Sequence, residues 1–379
     1  MRNYIKMSWP SGQLCKNLQA NSCWLRSRIT AISYSIRWTM LALLITLLAG
    51  CGNPDPDSSQ SKTADNTEFD SFQNGTADNY ETLKDAWDGN YYINSIGEQK
   101  DFGISTEEIK IDITGLEKEY TFLWLSDLHI ITENDEIAAE DLETVAGRRE
   151  SFKNAVGMCS DEFWLQLSEA LDVWGADALF FGGDMIDHAA NANIACLKEG
   201  LDKLETPYLY VRADHDYAPY YCAVKDETAV AKLHSEIDGY KEISLIELED
   251  LCLVGINNST KPVSAAALQE MKDICSKGKS IILITHVPLN SLCDTSLEEE
   301  SKAVWDGRAL IWGTNCTYVP DGTTQEFMDL IYAEDSPVKE VLAGHLHFTW
   351  DGQLTENTGE HIFSPAHLGN VGVVRVGDY

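Results

Sequence analysis

The sequence predicts an α/β fold, and two observations carry that reading. From about residue 107, apolar runs of strand length alternate with segments whose apolar residues recur at helical spacing. Acidic and imidazole side chains then fall immediately after those runs, five times over. That is where an open sheet gathers its ligands, at the carboxyl ends of its strands. At 379 residues the chain is long enough for one large core, and its 44% apolar content with ten tryptophans marks a globular protein.

The elements are expected in this order. Residues 1–51 read as a targeting segment. Arg26, Arg28 and Arg37 precede an apolar run from Met40 to Leu48, too short for a comfortable bilayer span, which leads into Leu48-Ala49-Gly50-Cys51. Residues 52–85 are rich in Asp, Ser, Thr, Asn and Gly and read as a flexible acidic tether. Residues 86–114 lead into a domain over 115–379. Strands are expected at Tyr120 to Leu125, Ala178 to Phe181, Tyr208 to Val211, Leu251 to Ile256, Ile281 to Ile284 and Val338 to Leu342. One helical stripe runs Trp164, Leu167, Leu171, Trp174, with Asp161 and Glu162 favourable at its start. A second runs Ile194, Leu197, Leu201, Leu204, and a third Leu268, Met271, Ile274. Ile362-Phe363 and Val371 to Val376 read as closing strands, and no internal repeat is visible.

Composition excludes several functions. Lys and Arg number 28 against 61 Asp and Glu, a formal net charge of −33, and all the basic residues of the first 51 positions precede the first acid. The remainder is therefore more acidic still. It repels a polyanion and shows no basic stripe, so no long nucleic acid is expected as a partner. A small anionic substrate stays possible, because bound cations can set the local field against the global charge. No His-Glu-x-x-His suggests a zinc peptidase. Apart from Cys15, Cys23 and Cys51 the cysteines are Cys159, Cys196, Cys222, Cys252, Cys275, Cys293 and Cys316, an odd set without CxxC spacing. They read as small hydrophobes rather than a disulfide framework or a zinc site.

The five signals are Asp127-Leu128-His129, Gly183-Asp184, Asp214-His215-Asp216, Thr285-His286 and Gly344-His345-Leu346-His347. Carboxylates bind hard cations and can bridge two of them, whereas neutral imidazoles favour zinc, iron or manganese over calcium and magnesium. A chemistry that needs two adjacent metal ions needs this mixture.

In order, spacing and strand context the set resembles the calcineurin-like metallophosphoesterase superfamily, the binuclear metallophosphatases, over roughly residues 115 to 379. The resemblance implies a sandwich of two mixed β-sheets flanked by helices. It implies metal-dependent hydrolysis of small phosphate esters by a hydroxide held between two ions, manganese, iron or zinc. Asp127, His129, Asp184 and His347 would hold one ion. Asp184 would bridge to the second, completed by Asp214, His286 and His345. His215 would donate a proton to the leaving alkoxide, with Asp216 as its orienting partner. One departure stands out: Ala213-Asp214 replaces the family's Gly-Asn. Aspartate remains a competent oxygen ligand, but it adds a negative charge that favours the cations and repels an anionic substrate.

Leu48-Ala49-Gly50-Cys51 resembles the lipobox of bacterial lipoproteins. It implies a lipid on Cys51 and an extracytoplasmic domain tethered to the membrane of a bacterial cell envelope. Two other functions remain open: a non-catalytic, metal-stabilised binding protein, and a nucleotidase or nuclease of the same superfamily. Neither monoester nor diester is preferred by the residues, and no oligomeric state is indicated.

Further residues carry double readings. Asp187 and His188 either approach the site or sit in a loop without a role, and His367 comes late enough in the chain to lie near the metals. Arg148 and Arg149 either grip a phosphate bidentately or form a solvated helix face. His234 and His361 read as surface or structural residues. The segment from Trp305 to Gly313 is either a substrate lid or a packed loop.

Overall fold

A run such as Leu251-Cys252-Leu253-Val254-Gly255-Ile256 has no polar face, so as a strand it must be covered on both sides. The computed structural model, which describes residues 91–93, 99–223, 235, 237, 241–260 and 262–379, shows that covering. After a small pair of antiparallel strands, β1 (Tyr91–Ile93) and β2 (Gln99–Asp101), the strands form two mixed sheets. One is five-stranded. Its members are β3 (Ser105–Asp112), β4 (Tyr120–Leu125), β5 (Ala178–Phe181), β6 (Tyr208–Tyr210) and β13 (Asn370–Gly377), in the order β3-β13-β4-β5-β6. The other is six-stranded. It holds β7 (Ile243–Glu247), β8 (Leu251–Ile256), β9 (Ser280–Ile284), β10 (Val338–Ala343), β11 (Trp350–Gln353) and β12 (Gly359–Ile362), in the order β11-β12-β10-β9-β8-β7.

Side chains alternate across a strand with period two, and the core follows that period. Phe122, Trp124, Phe180 and Val374 of the first sheet meet Leu253, Ile282, Ile284 and Leu342 of the second in one buried layer, the filling of a sandwich. The intervening residues face outwards onto helices. Leu123, Leu125, Leu179 and Phe181 pack with α2 (Ser160–Ser168) and α3 (Asn191–Leu201). Cys252, Val254, Ile281 and Leu283 pack with α5 (Ala265–Cys275) and α7 (Gly322–Tyr332). Helix α5 opens on Ser264, whose hydroxyl accepts from the Ala267 N–H at 3.1 Å and satisfies an otherwise unpaired donor of the first turn. Among the fully described residues the remaining α-helices are α1 (Leu142–Ser151), the one-turn α4 (Asp214–Tyr217) and α6 (Ser296–Val304).

Two expectations are corrected, and a third segment gains an element. The stripe through Trp174 is not one helix. Helix α2 stops at Ser168, and Leu171–Trp174 is a separate 3₁₀ turn closed by left-handed Gly175. Leu204 lies beyond α3, which ends at Leu201. The lead-in segment supplies β3, paired in parallel with β13 from Ser105↔Asn370 to Asp112↔Gly377. Cys159, Cys196, Cys252, Cys275, Cys293 and Cys316 are free thiols; Cys196, Cys222 and Cys252 are buried and Cys293 is exposed. Among the described residues no helix is long and apolar enough to cross a membrane. The targeting segment, Cys51, the tether and His234 lie outside the described residues.

Strands β4, β5 and β6 are mutually parallel, as are β8, β9 and β10. The carboxyl ends of β4, β5, β6, β9 and β10 are followed within four residues by Asp127, Asp184, Asp214, His286 and His345. The sandwich therefore delivers all five signals to one edge.

Candidate metal centre

The loops after β4 and β10 meet across the two sheets. The His345 N–H donates to both carboxylate oxygens of Asp127, at 3.2 and 3.0 Å. Gly344 permits the approach: a Cβ there would lie 2.4 Å from Asp127 Oδ2. Gly183 does the same after β5, where a Cβ would lie 2.7 Å from His286 Nδ1. The ligand-bearing residues themselves take unusual backbone. Asp127, His129, Asp184, His345 and His347 all have positive φ, between 50° and 71°, a region that L-residues seldom adopt.

Three groups of donor atoms result; in one of them, His129, Asp187 and His215, the Asp187 carboxylate is already taken by Arg148 and by His129 Nδ1, and the other two converge. Asp127, His129 and His347 each bring one donor atom within 4.8 Å of the others, and so do Asp184, His286 and His345. The imidazoles are oriented for metal. His286 Nδ1 donates to the Gly182 carbonyl at 2.8 Å, which turns Nε2 towards Asp184 Oδ2 (3.3 Å) and His345 Nδ1 (3.1 Å). His129 Nδ1 donates to Asp187 at 3.2 Å, leaving Nε2 to face His347 Nε2 at 3.3 Å. His347 Nε2 lies 3.3 Å from Asp127 Oδ1. Outer nitrogens tied to acceptors, with inner nitrogens and carboxylate oxygens converging, is the arrangement that fixes imidazoles as metal ligands. The residues fit a pair of cations.

The electrostatics agree. Burial would raise Asp127, but the hydrogen bond and charge of His347 bring it well below the usual carboxylate range. Burial opposes ionisation of Asp184 too, yet His286 and His215 pull it far down. His129 falls to about 4 and His345 to about 3, both chiefly by burial, so both stay neutral at pH 7. His286 is the exception. Burial would lower it, but the Asp184 charge and hydrogen bond push it up to about 10.

His215 lies beside both groups. Its backbone N–H donates to Asp184 Oδ1 at 3.2 Å, and its Nδ1 donates to the Asp187 carbonyl at 2.6 Å. Its ring is edge-on to His129, with centroids 5.0 Å apart. Burial would lower its pKa, but Asp184, Asp187 and Asp214 raise it above the ordinary histidine value. Asp216, expected as its orienting partner, is engaged elsewhere. Its fully buried carboxylate accepts from the backbone N–H groups of Ala213 (2.9 Å), Asp184 (3.0 Å) and Ile186 (3.1 Å), stapling the loop after β6 to the loop after β5. The group on His215 Nδ1 is a main-chain carbonyl, which no side-chain pattern reveals. Asp214 belongs to neither donor group; its Oδ2 accepts from the Tyr220 hydroxyl at 3.1 Å.

The residues with double readings now separate. Asp187 is buried and works at the site: it holds His129 and is gripped by Arg148, through Nε at 2.8 Å and also through Nη2. Arg148 is thus committed to a carboxylate rather than solvated, and Arg149 pairs with Asp161 at 2.8 Å. His188 is buried against Asn193. His367 Nδ1 donates to the Asp127 carbonyl at 3.0 Å, and its ring lies 5.4 Å from that of His347. His361 is buried between Glu107 (2.8 Å) and Asp351 (3.1 Å), a clasp between β3 and the far edge of the other sheet. Of the Trp305 segment, Ala309 to Trp312 are buried and Trp305 Nε1 donates to the Leu346 carbonyl at 3.1 Å, while Asp306, Gly307 and Arg308 are exposed. Sequence reading missed Phe152, stacked on His129 with centroids 4.3 Å apart, and Tyr318, whose hydroxyl is 3.4 Å from His345 Nε2. Neither sits beside a ligand in sequence. Asp187 follows Asp184 by one β-like stretch and was the legible one.

The family model for calcineurin-like phosphoesterases matches residues 120–348. The chain is similar to the crystal structure of a dimetal phosphatase from Danio rerio, at 10% identity over 65% of this chain and 87% of that one, with a TM-score of 0.41. It is similar to a purple acid phosphatase from yellow lupin (Lupinus luteus) seeds, at 9% identity over 74% of this chain and 49% of that one, TM-score 0.39. A third likeness is to a Haemophilus influenzae NAD nucleotidase, at 10% identity over 65% of this chain and 45% of that one, TM-score 0.29. Scores this low carry no weight on activity. No curated protein matches the chain.

Proposed function

The chain belongs to the calcineurin-like phosphoesterase family, hydrolases of phosphoester bonds, and on that premise we propose that it hydrolyses small phosphate esters at a dimetal centre, on a domain anchored outside the bacterial membrane. The observation that carries the chemistry is the pair of donor groups at one edge of the sandwich, with Asp184 in one group and the Asp127 carboxylate in the other. Asp127, His129 and His347 would hold one cation, His286 and His345 the other, with Asp184 between them and Asp214 at the margin. Manganese, iron or zinc suits this mixture of imidazole and carboxylate. When bound, two such cations neutralise phosphoryl charge and make hydroxide available near neutral pH.

The chain's own residues do the rest. Asp187 keeps His129 in one tautomer. The Gly182 carbonyl does so for His286, and the Asp187 carbonyl for His215. With Nδ1 committed, His215 Nε2 is the atom that can pass a proton to the leaving alkoxide. Trp305 and Phe152 wall the His347 and His129 rings and limit water around them. The acidic body admits small substrates better than long polyanions.

The test is a panel of phosphomonoesters, phosphodiesters and nucleotides on chelator-stripped protein restored with manganese, zinc or iron. Turnover of at least one class, returning with metal, is expected. Stoichiometric metal uptake with no turnover of any class would favour a metal-stabilised binding protein. The anchoring is tested separately. Intact mass of membrane-extracted protein should match a lipidated chain starting at Cys51, and an unmodified N-terminus upstream of Cys51 would refute it.

A further inference from the structure

Tyr220 touches both residues at which the third signal does its chemistry. Its hydroxyl donates to Asp214 Oδ2 at 3.1 Å, and its ring meets His215 edge-on, with centroids 5.4 Å apart and planes at 75°. The tyrosine is 44% exposed, yet its loop is fixed on both sides. The Ala218 carbonyl accepts from Ala189 at 3.0 Å, Ala138 donates to the Tyr221 carbonyl at 2.8 Å, and Ala223 donates to the Glu136 carbonyl at 2.7 Å. Ile137 and Cys222 add an isolated bridge. This is a held side chain, not a surface residue resting on a neighbour.

A carboxylate at 214 differs from an amide in two ways. It has two equivalent oxygens, either of which can face a cation, and it carries a full negative charge. Burial makes that charge costly, and the neighbouring carboxylate of Asp184 adds to the cost. A hydroxyl donor on one oxygen answers both problems. A hydrogen bond to an ionised acceptor is among the stronger kinds, so it selects one rotamer, occupies one oxygen and spreads its charge. We propose that Tyr220 is a positioning residue that holds Asp214 as a one-oxygen ligand, with Oδ2 on the phenol and Oδ1 left for a cation, while its ring fixes the neighbouring face of His215. This rests on the dimetal reading above and adds to it the device that makes aspartate workable at this position.

The experiment uses the full chain, stripped with chelator and titrated with manganese. Wild type, Tyr220→Phe, Asp214→Asn and the double variant are compared by competition against a chromogenic chelator. Tyr220→Phe keeps the ring and removes the donor. It should weaken the more loosely held manganese by about tenfold, the usual scale for losing a partner behind a metal ligand. In the Asp214→Asn chain the same change should cost less than about twofold, because an amide carries no charge to hold and brings its own donors. Tyr220→Ala, which also removes the ring, should further lower turnover of alkyl phosphates but not of p-nitrophenyl phosphate, whose leaving group needs no proton. Equal losses in both backgrounds, or no loss with Asp214 present, would overturn the proposal. So would a stripped Tyr220→Phe chain that melts well below wild type, since the hydroxyl would then serve the fold rather than the ligand. A wild-type chain that takes up no manganese refutes the dimetal reading itself, and the wild-type titration alone identifies that case.

Discussion

Replacing Asp187 by asparagine removes one charge and almost no volume, so it isolates the ion pair behind the site from packing. Arg148 grips that carboxylate through two nitrogens while remaining only 20% exposed, and Asp187 is fully buried. Removing one partner of a buried pair costs roughly 3–5 kcal/mol, because the other charge is left without compensation. Two features place this case at the lower end. The guanidinium keeps partial contact with water, and asparagine retains one oxygen that can still accept. A loss of about 3 kcal/mol is expected. For a domain of this size each kcal/mol moves the melting temperature by about 2–4 °C, which gives a drop of roughly 6–12 °C. The assay is calorimetric melting of chelator-stripped wild type and Asp187→Asn in the same buffer, so that lost metal binding cannot account for the change. A second effect should appear on reloading. His129 Nδ1 loses its charged acceptor, and manganese affinity should fall about tenfold or more. A stripped Asp187→Asn chain that melts within about 2 °C of wild type would refute the reasoning, because the pair would then contribute no more than a surface bridge.

Three further outcomes are expected. Asp184→Ala should remove most bound metal and activity; two ions retained per chain by elemental analysis would overturn its place between the donor groups. His215→Ala should keep its metals and lose about 10²–10⁴-fold in turnover of alkyl phosphates, with a smaller loss on p-nitrophenyl phosphate; loss of metal instead would make His215 a ligand. Because His286 is held up at about 10 from an ordinary value near 6.5, metal uptake must displace its proton anywhere below about pH 10. The same raised pKa stabilises the metal-free fold fully below about pH 6.5, and that contribution fades as pH rises through 10. Titrations in buffers of different ionisation enthalpy should therefore report proton release on manganese binding, and a buffer-independent heat at pH 7.5 would contradict it.

The strands legible in sequence are those buried on both faces, since only they give unbroken apolar runs: β4, β5, β8, β9 and β10 appear within a residue of expectation. Within the two mixed sheets the three that escaped, β3, β7 and β11, are all at sheet edges, and the short β1–β2 pair before them escaped too. β3 reads Ser-Thr-Glu-Glu-Ile-Lys-Ile-Asp, with one flank in water and its partner β13 at the other end of the domain, so neither periodicity nor neighbourhood betrays it. The site was legible for a related reason: each donor follows the end of a buried strand, and strand ends are where the pattern breaks. What sequence could not give is what holds the donors. The acceptors on His286, His215 and His367 are the main-chain carbonyls of Gly182, Asp187 and Asp127, which carry no residue signature. Asp216 looked like a partner because it is adjacent in sequence, but on a one-turn helix adjacent side chains diverge.

Asp127, His129, Asp184, His345 and His347 all occupy left-handed backbone. Each such residue costs of order 1–3 kcal/mol that the surrounding sheets must offset. Glycine would carry the same turn with no Cβ conflict. At these five positions the backbone alone favours a residue that cannot bind a cation, and the two demands pull on the same codon. Asp127 and Asp184 return part of that cost, because their carboxylates accept the His345 and His215 N–H groups. The strain is thus concentrated on the side chains whose chemistry the loops are shaped to deliver.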